Sequence, residues 1–196
     1  MAPTEQHGAA QPLDPRVVRT RNDILRAAID VLIDEGPQAV THQRLAEVAG
    51  YSRATIYKHW PTRDALFTDA FSYRPGGDHH VPTGDLRADL IAELTTFRRG
   101  MERQRLDRVL AALAALMTSV PELAAVRDKL VAEDERVLLQ LLTPAVRGPE
   151  LEAAVAMLSG SVVQAALLHG RLPTDEVIAA TVDLLLRGLD SRPSPP

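Results

Sequence analysis

Apolar residues recur at helical spacing along most of this chain. The first stripe contains Ile24, Ala27, Val31 and Leu32 and stops at Gly36, a residue type that commonly follows a helix. Five further stripes follow, over residues 86–101, 106–120, 123–142, 150–169 and 174–189. No segment alternates polar and apolar residues as a half-buried strand does. The pattern therefore predicts an all-α protein.

Stretches rich in Pro, Gly or small polar residues divide this helical pattern. Residues 1–15 and the tail 191–196 lack apolar periodicity, which predicts disorder at both ends. The segment 74–84, RPGGDHHVPTG, predicts a linker. The sequence thus predicts an N-terminal domain over 16–73 and a longer C-terminal domain over 85–190.

Composition and charge narrow the class of protein. Of the 196 residues 45% are apolar, enough to build a core, and none is cysteine, which excludes disulfides and thiolate chemistry. The net charge of −4 would argue against nucleic-acid binding, but the excess of negative charge lies in the C-terminal part, where residues 85–190 hold 16 acidic and 12 basic side chains. Between Thr41 and Arg63 the balance is reversed, because there are four basic residues and a single acidic one, Glu47.

Neither a membrane segment nor a secretion signal is expected. No uninterrupted run of about 18 apolar residues occurs, and the N-terminus lacks the basic and apolar regions of a signal peptide. We therefore expect a cytoplasmic protein with no membrane partner.

Residues 41–60, THQRLAEVAGYSRATIYKHW, predict two short helices that cross closely. Thr41 and Ser52 are suitable N-caps, and Gly50 supplies the permissive backbone that a tight turn needs. The second helix, Arg53 to Trp60, can turn Ile56 inward and present cationic, hydroxyl and methyl groups outward. A DNA major groove is read by such groups, so the segment predicts a helix-turn-helix.

The same region resembles the tetracycline-repressor (TetR) family of regulators, which includes the AcrR-type proteins. The resemblance covers about residues 16–71 and is carried by a helix ending in Asp34-Glu35-Gly36 and by the motifs Val40-Thr41, Leu45-Ala46, Val48-Ala49-Gly50, Ser52, Thr55-Ile56-Tyr57, His59-Trp60-Pro61 and Ala65-Leu66. It implies a DNA-binding transcription regulator that works as a homodimer on a pseudo-palindromic operator. Repression that a small-molecule effector relieves is the expected outcome, and activation of transcription is the alternative.

Resemblance and geometry together assign roles at the DNA. We expect Thr41, Tyr57, Lys58 and Arg63 to contact the phosphate backbone, and Gln43, Arg53, Ala54 and Thr55 to contact base edges; His59 can do either. Arg16, Arg19 and Arg21 either reach an adjacent phosphate or minor groove or form a solvated charged end.

The last two helical stripes are apolar or small around nearly the whole circumference. Such helices need partners on more than one side, which predicts a second copy of the chain; the alternative is that they are buried entirely within one monomer. The residues expected to permit close approach are Ala153, Ala156, Ser159, Gly160 and Ser161. The middle helices either form ordinary core or line a cavity for an apolar effector, with Phe97, Met101, Leu113, Met117, Val137, Leu141, Met157 and Gln164 as candidate lining.

Two other classes of function compete with this interpretation: an enzyme and a helical interaction module without DNA binding. No phosphate-binding loop, dinucleotide fingerprint, nucleophile elbow or zinc-protease motif is present, so we expect no catalytic residue, cofactor or metal site. Asp78-His79-His80 has side chains that can bind a metal, but it lies among glycines and prolines and is expected to be a solvated loop. The acidic run Glu133-Asp134-Glu135 is expected to be a solvated helix face. An interaction module would leave the basic face of residues 53–63 without a use.

Overall fold

The computed structural model describes residues 14–73 and 78–191, and the chain divides into two compact units, Met1–Tyr73 and Arg74–Pro196. Within the described residues, all regular structure is helical. This confirms the all-α prediction. The residues predicted to be disordered lie almost wholly outside the described ranges, except that Pro15 already begins a helix.

The described part of the N-terminal unit, residues 14–73, contains four α-helices and one 3₁₀ turn, Pro37–Ala39. The α-helices are α1 (Pro15–Glu35), α2 (His42–Ala49), α3 (Arg53–His59) and α4 (Arg63–Tyr73). Helix α1 packs against α2 and α4, and α2 packs against α3. Side chains from every helix close the core, including the buried Ile24, Leu45, Ile56 and Phe71.

The C-terminal unit contains six described α-helices. They are α5 (Leu86–Arg103), α6 (Leu106–Leu116), α7 (Leu123–Asp134), α8 (Arg136–Leu142), α9 (Pro149–His169) and α10 (Asp175–Asp190). Asp85 caps α5 by accepting from the Ala88 N–H at 3.0 Å, as its sequence position predicted. Helix α5 is central, because α6, α8, α9 and α10 all pack against it.

The helix predicted over residues 123–142 is divided. The backbone angles of Glu135 (φ −90°, ψ −5°) depart from those of a regular α-helix and separate α7 from α8. The Glu135 side chain accepts a hydrogen bond from Ser159 Oγ of α9 at 3.0 Å. The break therefore coincides with a hydrogen bond between α9 and Glu135, which the apolar periodicity of this segment does not predict.

Residues 78–84, expected as part of a linker, are held against α5 by two buried carboxylates. Asp89 accepts from the Thr83 and Gly84 backbone N–H groups and from His80 Nε2, while Glu93 accepts from His79 Nδ1 and the His80 N–H, all at 2.7–3.0 Å. Side-chain exposure is 15% at His79 and 22% at His80, so the expectation of a solvated loop is wrong for this histidine pair.

Burial would raise the pKa of Asp89, but the donors from His80, Thr83 and Gly84 outweigh it and hold that pKa well below its ordinary 3.8. The carboxylate therefore stays ionised although it is only 1% exposed. The Asp89 carboxylate holds the backbone of Thr83 and Gly84 against α5, because it accepts hydrogen bonds from both of their N–H groups.

Among the described residues, α9 alone is long and apolar enough to cross a membrane by length and composition, with a mean hydropathy of 1.6. In this unit it packs against α5, α6, α8 and α10. Its outer face is exposed, with Met157 at 57% and Leu168 at 77% of full accessibility. The helix is thus built into a helical domain on one side and carries an apolar surface on the other.

Candidate nucleic-acid interface and effector cavity

Local side-chain caps fix the two helices of the segment 41–60. Thr41 Oγ1 accepts from the Arg44 N–H, and Ser52 Oγ accepts from the Thr55 N–H, each at 3.1 Å. Gly50 between them adopts a left-handed conformation (φ +73°, ψ 23°) that closes α2. Both caps and the turn agree with the sequence-based prediction, so a helix-turn-helix is present.

Helix α3 presents one polar face and one buried face. Ile56 is fully buried, whereas Arg53, Ala54 and Lys58 are exposed and Thr55 is half-buried. Neither Arg53 nor Lys58 forms an ion pair within the described part of the chain. The exposed face of α3 therefore carries cations whose charge is not compensated by a neighbouring carboxylate.

The N-terminus of α2 lies beside this face. The His42 ring stacks on the Tyr57 ring with centroids 4.3 Å apart, and His42 Nε2 donates to the Trp60 carbonyl oxygen at 2.6 Å. Tyr57 remains 55% exposed. The stack thus ties the exposed Tyr57 of α3 to His42, the first residue of α2, which directly follows the exposed cap Thr41.

The other residues expected to contact DNA differ in how far they are exposed. Gln43 is exposed and donates to Glu47 Oε1 at 3.3 Å, and His59 is half-buried beside Trp60. Arg63, by contrast, is turned inward: its Nη2 donates to the Pro37 carbonyl oxygen at 2.5 Å, and its guanidinium lies 5.5 Å from the Phe67 ring. Its buried Nε has no hydrogen-bond partner in the described structure.

Two other arginines of this unit form ion pairs with carboxylates. Arg44 binds both carboxylate oxygens of Glu35 at 2.7–3.1 Å, and the hydrogen bond lowers the pKa of Glu35 and raises that of Arg44. Arg21 pairs with Asp69 and lies over the Trp60 ring. Arg16 and Arg19 at the start of α1 are exposed. Sequence reasoning missed these pairings because the partners lie 9 and 48 residues apart.

The C-terminal unit contains a partly open apolar cavity of about 270 Å³. Of the eight expected lining residues, Phe97, Leu113 and Met117 do line it. Met101 and Val137 are buried elsewhere in the core and Leu141 is half-buried. Met157 and Gln164 lie exposed on the outer face of α9.

Several polar residues line the cavity that sequence reasoning had not proposed for it. They are Glu93, Arg127, Asp134, Glu135 and Ser159. Asp134 and Glu135 come from the acidic run expected to be solvated, and no local pattern distinguishes them from the exposed Glu133. Ser159, expected at the dimer interface, instead faces this cavity.

The remaining candidate interface residues lie mostly on the outer side of α9. Ala153 and Ala156 are exposed, and Gly160 and Ser161 are half-buried. A Cβ atom built at Gly160 would meet nothing within 4 Å. In the described ranges no group of three or more His, Asp or Glu side chains has an arrangement suited to a metal ion.

Comparison with known proteins identifies both parts of the chain. Residues 24–70 match the family model of bacterial regulatory proteins of the tetR family, and residues 81–185 match that of the tetracyclin repressor-like C-terminal domain. The second match alone spans more than half of the sequence.

Individual relatives agree with these matches. The chain is 38% identical over 86 residues to the HTH-type transcriptional regulator YdeS of Bacillus subtilis, a match that spans 43% of each protein. It is 28% identical over 189 residues to the HTH-type transcriptional regulator Rv1556 of Mycobacterium tuberculosis, which covers 89% of this chain and 90% of the relative.

A solved structure of a transcriptional regulator from Rhodococcus sp. Rha1 has the same fold, with a TM-score of 0.69 and 22% identity over 88% of this chain and 99% of that one. Together with the capped helix-turn-helix, these matches confirm the resemblance noted in the sequence: the chain belongs to the TetR family of helix-turn-helix transcriptional regulators.

Proposed function

We propose that this regulator is a cytoplasmic homodimeric repressor that occupies a pseudo-palindromic operator and leaves it when a small molecule enters the C-terminal unit. The observation that carries the DNA-binding part is the exposed face of α3, where Arg53 and Lys58 have no ion-pair partner among the described residues. A transcription regulator with cysteine-free, all-helical units fits the cytoplasm.

Two roles are proposed for the exposed groups. Thr41, Tyr57 and Lys58 bind phosphates and set the register, whereas Arg53, Ala54, Thr55 and Gln43 read bases. Arginine pairs with guanine, glutamine pairs with adenine, and the Ala and Thr methyl groups contact the thymine methyl. Arg63 contributes indirectly in this scheme, because its hydrogen bond to Pro37 braces the start of α4 against the 3₁₀ turn.

Dimerisation is proposed through the outer faces of α9 and α10. The exposed apolar residues there are Met157, Leu168, Val177 and Leu184, each at least 50% accessible in the single chain. Apolar surface of this kind is stabilised by association, and a second copy supplies the second reading helix that an operator with two half-sites about 34–36 Å apart requires. We assign α9 to this interface and not to a membrane.

The apolar cavity is proposed as the effector site. An effector shifts the protein away from its DNA-bound state only if it binds the two states with different affinity. Helix α4, the last element of the N-terminal unit, leads by chain connection into the effector-binding unit. Movement of α4 on effector binding would alter the spacing of the two recognition helices.

A fluorescence-anisotropy titration on DNA from upstream of the gene tests the proposal. The parent is compared with Arg53→Ala and with Arg26→Ala, which removes an exposed arginine of α1 on the same unit. We expect Arg53→Ala to bind the upstream DNA at least about tenfold more weakly than the parent and to discriminate less between this DNA and other sequences. Arg26→Ala should bind as the parent does. If Arg53→Ala binds the upstream DNA as tightly as the parent and Arg26→Ala do, the assignment of α3 as the reading helix is wrong.

A further inference from the structure

His42, the first residue of α2, contacts α3 at two points. Its ring stacks on the Tyr57 ring, with the centroids 4.3 Å apart and the planes inclined by 27°. Its Nε2 lies 2.6 Å from the carbonyl oxygen of Trp60, the C-cap of α3. Carbonyl groups at the end of a helix have no partner within that helix, so His42 supplies one of the missing donors. The imidazole is thus held by both an exposed side chain and the end of α3.

The bond to Trp60 decides which ring nitrogen changes its protonation. A carbonyl oxygen only accepts, so Nε2 carries a hydrogen whether the ring is neutral or charged, and the nitrogen that gains or loses a proton is Nδ1. Nδ1 has no hydrogen-bond partner in the described structure, and it is not among the buried side-chain atoms that lack one, which are Arg63 Nε and His79 Nε2. Nδ1 is therefore accessible to solvent, and it can take up a proton while both contacts with α3 persist.

His42 forms no ion pair in the parts of the chain that the structure describes. The carboxylates that contact α2, the turn after it or Trp60 are each bound to another group. Those pairs are Asp23 with Tyr51, Glu35 and Glu47 with Arg44, and Asp69 with Arg21 and Trp60. The titratable side chains of α3, which packs against α2, are Arg53, Tyr57, Lys58 and His59. A proton on Nδ1 is thus not compensated by any of these carboxylates.

Two residues proposed to bind DNA phosphates flank this imidazole. The exposed cap Thr41 precedes His42 in the chain, and Tyr57, which is 55% exposed, stacks on its ring. Phosphate oxygens of DNA only accept hydrogen bonds. Neutral Nδ1 carries a lone pair and forms no such bond with them, whereas protonated Nδ1 donates a charge-assisted one. Only the charged ring therefore adds to the binding of a duplex that lies against Thr41 and Tyr57.

From these contacts we propose that His42 is a phosphate-binding residue in its protonated form, so that DNA binding is coupled to the uptake of one proton at Nδ1. The inference rests on the proposed function, because it needs Thr41 and Tyr57 to lie against the DNA backbone. Histidine side chains change charge between about pH 5 and pH 8. A phosphate beside Nδ1 favours the charged ring, and by linkage the charged ring favours DNA. Affinity for DNA therefore rises as the pH falls through this range.

Anisotropy titrations of the full chain on the upstream DNA, at pH 6 and pH 8.5 and across salt, test the proposal. The parent should bind at least about threefold tighter at pH 6, because a group that titrates in this range then forms a charge-assisted hydrogen bond. The plot of log affinity against log salt should be steeper at pH 6 by about 0.9, since one more phosphate is neutralised. Equal affinities and equal slopes at the two pH values would overturn the proposal.

Matched variants assign the pH response to one ring. His42→Gln keeps an N–H donor for the Trp60 carbonyl and His42→Phe keeps a ring for the stack on Tyr57, but neither side chain can be charged. Both should lose most of the pH dependence and the change in salt slope, whatever their affinity at pH 8.5. His169→Gln, which removes an exposed histidine at the end of α9, should keep both. Melting curves at the two pH values check that every variant is folded.

His59→Gln examines the other imidazole of the motif, which lies beside Trp60. If this variant loses the pH response and His42→Gln retains it, the proton is taken up at His59 and the proposal is wrong. Failure of the parent to bind DNA selectively at either pH would refute the proposed function and this inference with it. Selective binding whose pH dependence and salt slope are the same in the parent and in His42→Gln would refute this inference alone.

Discussion

The indole Nε1 of Trp60 donates to Oδ2 of Asp69 at 2.7 Å, across the turn between α3 and α4. The same carboxylate oxygen accepts from Arg21 of α1, whose guanidinium lies 5.3 Å from the Trp60 ring. Trp60 is 1% exposed. One carboxylate of α4 thus connects Arg21 of α1 with Trp60 at the end of α3.

Replacing Asp69 by Ala should destabilise the N-terminal unit by about 2 kcal/mol, because it leaves the buried indole N–H without its acceptor and Arg21 without its partner. Asp69→Asn, which keeps an acceptor for Trp60, should cost less. Trp60 is the only tryptophan in the chain. Urea unfolding followed by its fluorescence therefore reports on this unit directly.

The control for Asp69→Ala is Asp30→Ala, which removes an exposed carboxylate of α1 and should change the free energy of unfolding by less than about 0.5 kcal/mol. Similar losses in the two variants would show that net charge, and not the Trp60–Asp69 bond, accounts for the effect.

The hydroxyl of Tyr57 should contribute to DNA affinity separately from its ring. Tyr57→Phe keeps the stack on His42 and should weaken binding by about tenfold on specific and unrelated DNA alike, as expected for a lost phosphate contact. Tyr57→Ala should weaken it further, since the stack that positions the N-terminus of α2 is lost.

Anisotropy titrations across salt measure the Tyr57 effects, with Tyr73→Phe as the matched control at the end of α4. Parent-like binding by Tyr57→Phe would mean that the hydroxyl does not reach a phosphate.

Local features of the site could be predicted from the sequence, whereas partners distant in the chain could not. The caps Thr41 and Ser52 and the glycine turn at Gly50 depend on three or four consecutive residues, so residue type and spacing predict them. Nothing near Arg63 in the sequence indicates that it bonds to Pro37, and the acidic run at 133–135 gives no sign that two of its members line a cavity.

The histidine pair at 79 and 80 illustrates the same limit. Flanking glycines and prolines are typical of a solvated loop. Here the loop is not solvated, because two buried carboxylates of α5 accept hydrogen bonds from it. Asp89 and Glu93 sit four residues apart on α5 and therefore on one helix face. That face receives the backbone of residues 80–84, a relation that appears only once the chain is folded.

Stability should depend on pH through Asp89. Its pKa is lower in the folded protein than the ordinary 3.8, so the folded state stays ionised where the unfolded chain takes up a proton. The contribution of Asp89 is therefore complete above about pH 5 and is lost as the pH falls through 3.8 towards the folded value. Asp89→Asn should lower the melting temperature at pH 7 and flatten its decline between pH 5 and pH 2.5.

Calorimetric melting across that pH range checks the Asp89 prediction, with Glu133→Gln as a control that removes an exposed carboxylate. If Asp89→Asn shows the same acid dependence as the parent, the pH response comes from other carboxylates.

A methyl group at Gly160 should stabilise the single chain and weaken the dimer. Gly160 lies inside α9, and an added Cβ meets nothing within 4 Å, so Gly160→Ala gains up to about 1 kcal/mol of helix stability. If α9 packs closely against a second copy, the same methyl group enters that interface and weakens dimerisation. Gly100→Ala, an equally open glycine of α5, should stabilise the chain without affecting assembly. Sedimentation velocity over a dilution series distinguishes the two variants, and unchanged dimerisation in Gly160→Ala would place the close approach of the helices elsewhere on α9 or α10.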